Sequence, residues 1–248
     1  ARMTRAFAPL APIFRGLGQA LERMGAGMSD STRETLNRHR EVMAVMDKKP
    51  VIADSCFVAP SANIMGDVKL GQRSNVWYGA IIKGDTASVI IGERTNIKDR
   101  AILAAASGSI NIGSNVTVGQ GAVLGAAKIE DDAFVGMGST IGDGASVGKG
   151  AYVAPGAVVE AGATVPAGQL VSGNPAAVVR ALSEGEVLGL ANTTEALVQL
   201  GEMHNKECMK GFIEIEQDKT DAKWVEERSI DYDSSLGLLE RNPRAQVW

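Results

Sequence analysis

The chain has 248 residues, a formal net charge of −4, 29 glycines and only 4% aromatic residues. That length holds one large domain with flanking segments; the lack of a basic stripe with interleaved aromatics argues against nucleic-acid binding, and no apolar run reaches the length of a bilayer span. The two cysteines, Cys56 and Cys208, match no metal or redox spacing, which argues against a disulfide framework and favours a reducing compartment.

Charge is spread unevenly. Residues 1–50 hold nine basic and five acidic residues (+4), residues 51–182 nine and ten (−1), and residues 183–248 seven and fourteen (−7). A neutral centre thus lies between oppositely charged arms. The acidic end reads either as solvated surface or as a tail that docks on a basic partner.

Residues 1–50 are expected to form an N-terminal amphipathic helical segment. Phe14, Leu17, Leu21 and Met24 share one helical face. Arg2, Arg5 and Arg15 all precede Glu22, the first acid. The pattern suits a helix on a membrane protein or lipid interface, an organelle-targeting segment, or a helix packed on the rest of the chain. Ser31 and Glu34 read as a capping box for a second helix running to Asp47, ended by Pro50.

Residues 51–174 follow a different rule. From Ile129, every sixth residue is a β-branched aliphatic: Val135, Ile141, Val147, Val153, Val159, Val165 and Val171. A helix repeats its apolar positions every three to four residues and a half-buried strand every two. A period of six is the signature of a coil in which each hexapeptide makes one flat face and one corner. Upstream, Val58, Ile64, Leu70, Val76 and Ile82 keep the spacing. So do Ile91, Ile97 and Leu103, then Ile112, Val118 and Leu124. Insertions separate these groups, and the step from Leu124 to Ile129 is one residue short. Three faces per turn give roughly seven turns.

Gly173, Asn174 and Pro175 then break the spiral. Residues 175–210 are expected to carry a helix that covers one flat face. Ser183 and Glu186 read as its cap, and Val187, Leu190, Leu197, Leu200 and Met203 as its apolar side. Residues 211–248 are acidic and weakly patterned. They read as an extended interaction arm with scattered anchors such as Phe212, Ile213 and Trp224.

The elements "NVWYGAIIKGD", "NIKDRA" and "VTVGQGAVLGA", with the flanking helices, resemble the gamma-class carbonic anhydrases over about residues 5–205. The N-terminal segment looks closest to the versions attached to mitochondrial respiratory complex I in plants and algae. The resemblance implies fold class β: a left-handed parallel β-helix, trimeric, with flanking N-terminal and C-terminal α-helices. It also implies zinc held at each interface by three histidines, two from one chain and one from the next. A three-ligand site leaves one position for the water to be activated.

At the three ligand positions this chain has Ala104, Gln120 and Gly125. Ala and Gly have no ligand atom, and a neutral amide is a poor one. Both histidines, His39 and His204, lie outside the coil and read as polar surface residues. Lys83 stands where the resemblance implies Arg, and Lys98 where it implies Gln, while Asp85 remains. Lys lacks the planar fork of Arg. Lys83, Asp85 and Lys98 are candidates for the trimer interface.

The expectation is therefore a chain that is not an enzyme and has no metal or cofactor. It would be a structural or assembly subunit of the complex I membrane arm, on the matrix side of the mitochondrial inner membrane. Its partners would be two other gamma carbonic anhydrase-like chains in a heterotrimer, together with membrane-arm subunits. The alternatives are an active or bicarbonate-binding carbonic anhydrase and a hexapeptide-repeat acyltransferase. The latter enzymes use a histidine on the coil to deprotonate the acceptor, and no histidine falls within residues 51–174.

Overall fold

A computed structural model of the chain describes residues 40–227, together with Leu17, Gly18, Ala20, Leu21 and Met24. The chain divides into two compact units, Ala1–Arg40 and Glu41–Trp248. In the first unit the five residues between Leu17 and Met24 are helical and exposed. Phe14, His39, the Ser31–Glu34 box and residues 228–248 lie outside the described residues.

The second unit is a parallel β-solenoid of about seven turns. The first face stacks Phe57–Val58, Asn75–Val76, Asn96–Ile97, Thr117–Val118, Phe134–Val135, Tyr152–Val153 and Gln169–Ser172. From Asn75–Val76 to Tyr152–Val153 the second residue of each rung points inward, as does Val171 in the last, so Val76, Ile97, Val118, Val135, Val153 and Val171 are buried one above another. The other two faces repeat the arrangement. Ile82, Leu103, Leu124 and Ile141 line the second; Ile91, Ile112, Ile129 and Val147 line the third. The six-residue spacing thus becomes three continuous aliphatic columns, and burial of each branched side chain contributes about 1.5–3 kcal/mol.

The insertions lie at the corner between the second and third faces. There Asn63–Leu70 and Ile81–Ile91 run on as single strands across the corner. Their pairing shifts register between Gly66 and Val68, which lets the longer strand bulge at residues 85–88. The strands approach closely at this bend. A Cβ on Gly66, at φ +81°, would lie unacceptably close to the Gly84 carbonyl.

Residues 42–43 are not the end of a helix. Val42–Met43 is a short strand, parallel to Ile64–Met65, and Val45 and Lys48 close a tight turn after it. The open edge of the sheet offers two β-compatible residues backbone partners, and that tertiary pairing outweighs local helical patterning.

After the turn at residues 173–176, Ala177–Ala181 pairs antiparallel with Gln169–Ser172. This strand was not legible in the sequence. Helix α1, Glu184–Cys208, follows with the expected capping box: Ser183 is extended, Glu186 N–H donates to its Oγ, and Ser183 N–H donates to Glu186 Oε2 at 2.9 Å. Arg180 forks onto the same carboxylate at 2.8 and 2.6 Å.

These contacts, the Arg180 guanidinium first and Ser183 next, hold the Glu186 carboxyl far below the usual carboxylate range. The contribution of this cap is complete above about 4.5, the ordinary glutamate value, and declines as pH falls from there toward the depressed folded value. In an NMR titration Glu186 should remain ionised below pH 4.5, and Arg180→Ala should return its titration toward the ordinary range. A wild-type midpoint near 4.5 would contradict this.

A second helix, α2, spans Phe212–Glu227. Over residues 212–227 it stands where an extended arm was expected. Acidic residues interspersed with Lys219 and Lys223 hid its period, yet they supply same-face support such as Glu216–Lys219, at 2.8 Å.

Candidate functional site

α1 lies along the first face and is fitted closely at its C-terminal half. Asn75, Asn96 and Thr117 occupy successive outward positions beneath it. Asn75 Nδ2 donates to the Leu197 carbonyl at 3.3 Å, Asn96 Nδ2 donates to the Thr194 carbonyl at 3.4 Å, and the hydroxyls of Thr117 and Thr194 bond at 2.9 Å. Gly201 packs flat on Asn75, whose side chain fills the space of a Cβ at residue 201. Val198 is fully buried, and Arg73–Glu202 and Arg94–Glu195 pairs flank the contact.

His204 is not a plain surface residue. Its ring is half-buried, with centroids 5.8, 5.1 and 5.7 Å from Phe57, Trp77 and Tyr78. Its Nδ1 is 3.0 Å from the Tyr78 hydroxyl. The imidazole therefore joins α1 to the coil. The isolated "MHNKEC" run gave no signal for this, because the partners lie more than 120 residues upstream.

The second face carries the positions singled out from the sequence. Lys83 and Ala104 are register partners on adjacent rungs, and Gly125 follows Leu124, which pairs in register with Leu103. Lys83, Ala104 and Gly125 therefore form one outward column, with rungs about 4.8 Å apart. Gln120 is exposed at the corner where the first face turns into the second, and its carbonyl accepts from Gly138 N–H at 2.9 Å. Lys98 is half-buried at the same corner, one rung below. Asp85 sits apart from these, in the bulged corner toward the third face. Its carboxylate accepts from Thr86 N–H at 2.9 Å, while Lys48 Nζ donates to its carbonyl. Among the described ion pairs none involves Lys83, Asp85 or Lys98.

The column is closed at Gly125 by a residue that the sequence reading missed. A Cβ built on Gly125 would overlap Asp143 Oδ1 and lie 3.1 Å from its Cγ. That oxygen accepts from Ala126 N–H at 2.8 Å. The Ser107 hydroxyl and the Ala126 amide hold the Asp143 carboxyl below its usual range. Asp131 repeats the arrangement, filling the Cβ space of Gly113 and accepting from Ser114 N–H at 2.8 Å. In both pairs glycine and aspartate are 18 residues apart where the rungs pair 17 apart, so each aspartate stands one residue past the glycine's register partner.

Comparison with known proteins fits this architecture. Residues 126–161 match the bacterial transferase hexapeptide (six repeats) family model. A hexapeptide transferase family protein from Anaplasma phagocytophilum superposes with a TM-score of 0.63 at 34% identity, over 66% of this chain and 98% of its own. "Gamma carbonic anhydrase 2, mitochondrial" of Arabidopsis thaliana is 39% identical over 238 residues, 92% of this chain and 86% of that protein. The chain belongs to the gamma carbonic anhydrase family. A shorter relative, the "Probable carbonic anhydrase" of Methanocaldococcus jannaschii, is 40% identical over 61% of this chain and 96% of its own.

Zinc is the metal that the gamma carbonic anhydrase family implies, and the residues present do not fit it. Ala104 and Gly125 present no donor atom, and the Asp143 carboxylate occupies the space into which a side chain at residue 125 would grow. Among the described residues no group of three or more His, Cys, Asp or Glu is placed to hold a metal ion. Nor is any described helix long and apolar enough to cross a membrane.

Proposed function

We propose that this chain is a non-catalytic structural subunit of a gamma carbonic anhydrase-like heterotrimer, attached to the membrane arm of mitochondrial complex I on the matrix side of the inner membrane. The observation that carries the reading is the outward column of the second face: Lys83, Ala104 and a Gly125 closed by Asp143. The scaffold is kept and the donor set is not. Two other chains of the family complete the trimer. Its "mitochondrial" Arabidopsis relatives support the location.

The same face supports assembly. Ile102 and Val123 stack outward on adjacent rungs and are 36% and 41% exposed, with Met137 exposed at the neighbouring corner. An apolar strip of this kind on a rigid wall is suited to burial against a neighbouring coil.

In each proposed trimer this chain contributes to two interfaces and lacks ligands at both. At most one metal site then remains, between the two partners. Affinity purification of the tagged chain from mitochondria, followed by cross-linking mass spectrometry, should recover two further gamma carbonic anhydrase-like chains and membrane-arm subunits. Recovery of the chain alone, or only with copies of itself, would rule the heterotrimer out.

A further inference from the structure

The last turns of α1 meet the aromatic end of the first face, and the donor atoms gathered there are soft. The Tyr78 hydroxyl lies 3.0 Å from His204 Nδ1 and 3.9 Å from Cys208 Sγ. His204 and Cys208 stand four residues apart on α1, so they share one face of the helix. The imidazole is packed among Phe57, Trp77 and Tyr78, which fixes its ring. Cys208 is a free, exposed thiol.

A nitrogen and a sulfur thus converge on one hydroxyl. With its proton on Nε2, the imidazole presents a lone pair at Nδ1, to which the Tyr78 O–H donates. The same lone pair can bind a metal ion, and ligands four residues apart on a helix are spaced to hold one between them. The thiol becomes a ligand as the thiolate, its proton passing to solvent. Released from Nδ1, the Tyr78 hydroxyl can donate to that sulfur instead.

The donor set selects the metal. Thiolate and imidazole together suit soft, low-coordinate Cu(I). Met209, the helix cap, follows Cys208 directly and is 78% exposed, which puts a thioether next in the chain. Glu207, the carboxylate beside Cys208 in the chain, is tied to Lys210 at 2.7 Å. A structural zinc site takes four ligands, and among the described residues no third His, Cys, Asp or Glu joins the pair.

We infer that His204 Nδ1 and Cys208 Sγ form a binding site for a single cuprous ion at the C-terminal end of α1, with the Tyr78 hydroxyl supporting the thiolate. The site uses no residue of the second-face column. It stands or falls separately from the proposed role in complex I.

The test is anaerobic titration of Cu(I) into the full chain in its native assembly, with bicinchoninate as the competing chromophore. The wild type should hold one more ion per copy of this chain than Cys208→Ser does. His204→Phe, which keeps a ring among the three aromatics, should weaken that ion about tenfold or more. Cys56 does not compete, because it is buried and its thiol donates to the Gly71 carbonyl at 2.9 Å. One equivalent of Cu(I) should also slow alkylation of Cys208 by iodoacetamide about tenfold, since a metal-bound thiolate is withdrawn from attack. Circular dichroism checks that both variants keep α1. Equal copper content in the wild type and the folded Cys208→Ser variant, or unslowed alkylation, would overturn the site. Undiminished affinity in folded His204→Phe would remove the imidazole from it, and zinc binding there as tightly as copper would overturn the choice of metal.

Discussion

Histidines at the three positions that the resemblance implies, Ala104→His, Gln120→His and Gly125→His, are expected to take up less zinc while Asp143 is in place than after its removal. The reason is steric. The new side chain at residue 125 begins where Asp143 Oδ1 already lies. To admit it, the carboxylate must leave both the Ala126 amide and the Ser107 hydroxyl. Adding Asp143→Ala should allow the imidazole in and raise zinc content toward about one ion per complete interface, the stoichiometry of a three-ligand site with an open position. Elemental analysis of both variants after zinc loading and desalting decides the matter. Full occupancy in the triple variant would show that Asp143 closes nothing. An empty quadruple variant would show that the barrier lies elsewhere.

The second large effect separates the inside of the coil from the surface proposed for assembly. Leu124 is fully buried, stacked in register between Leu103 and Ile141, while its neighbour Val123 points outward and is 41% exposed. Leu124→Ala should destabilise the fold by about 2–5 kcal/mol, because a close-packed column cannot collapse around the missing atoms. The midpoint of thermal unfolding should fall by roughly 5–15 °C for a domain of this size. Val123→Glu should leave the subunit's own unfolding nearly unchanged. Instead it should abolish assembly, since it sets an unpaired charge in an apolar contact. Differential scanning calorimetry and analytical ultracentrifugation read the two effects apart. Dissociation by the first variant with no loss of stability would reverse the assignment of inside and outside.

The coil was legible because its rule is local and repeated. Each branched residue from Ile129 to Val171 had to face the same interior, and a period of six admits few other structures. The Ser183–Glu186 box was legible for a similar reason: both halves of the interaction lie within four residues. The misreadings occurred where distant pairing decides. Val42–Met43 became a strand because an open edge at Ile64–Met65 was available. Ala177–Ala181 became one because it could fold back on Gln169–Ser172. Residues 212–227 formed a helix although their scattered apolar residues showed no single face.

The candidate site divides the same way. The identities Ala104, Gln120 and Gly125 could be read from the sequence, and so could their want of good metal donors. Lys83 joins Ala104 and Gly125 in one column, whereas Asp85 lies in the corner bulge, its carboxylate bonded to the next residue's amide. The sequence reading grouped Lys83 and Asp85 because the resemblance implies Arg-Gly-Asp where Lys83, Gly84 and Asp85 stand. The bulge that separates them comes from a register shift between two strands. Asp143 and His204 were missed because each acts on a residue at least a full turn away.

The account rests on a scaffold retained without its metal donors, and metal content at the interfaces tests it most directly. The intact assembly should be isolated through a tag on this chain, its zinc counted per trimer, and the ions located by anomalous scattering. The prediction is at most one zinc, placed between the two partner chains and away from Ala104, Gln120 and Gly125. Zinc at an interface built with this chain's second face would contradict it.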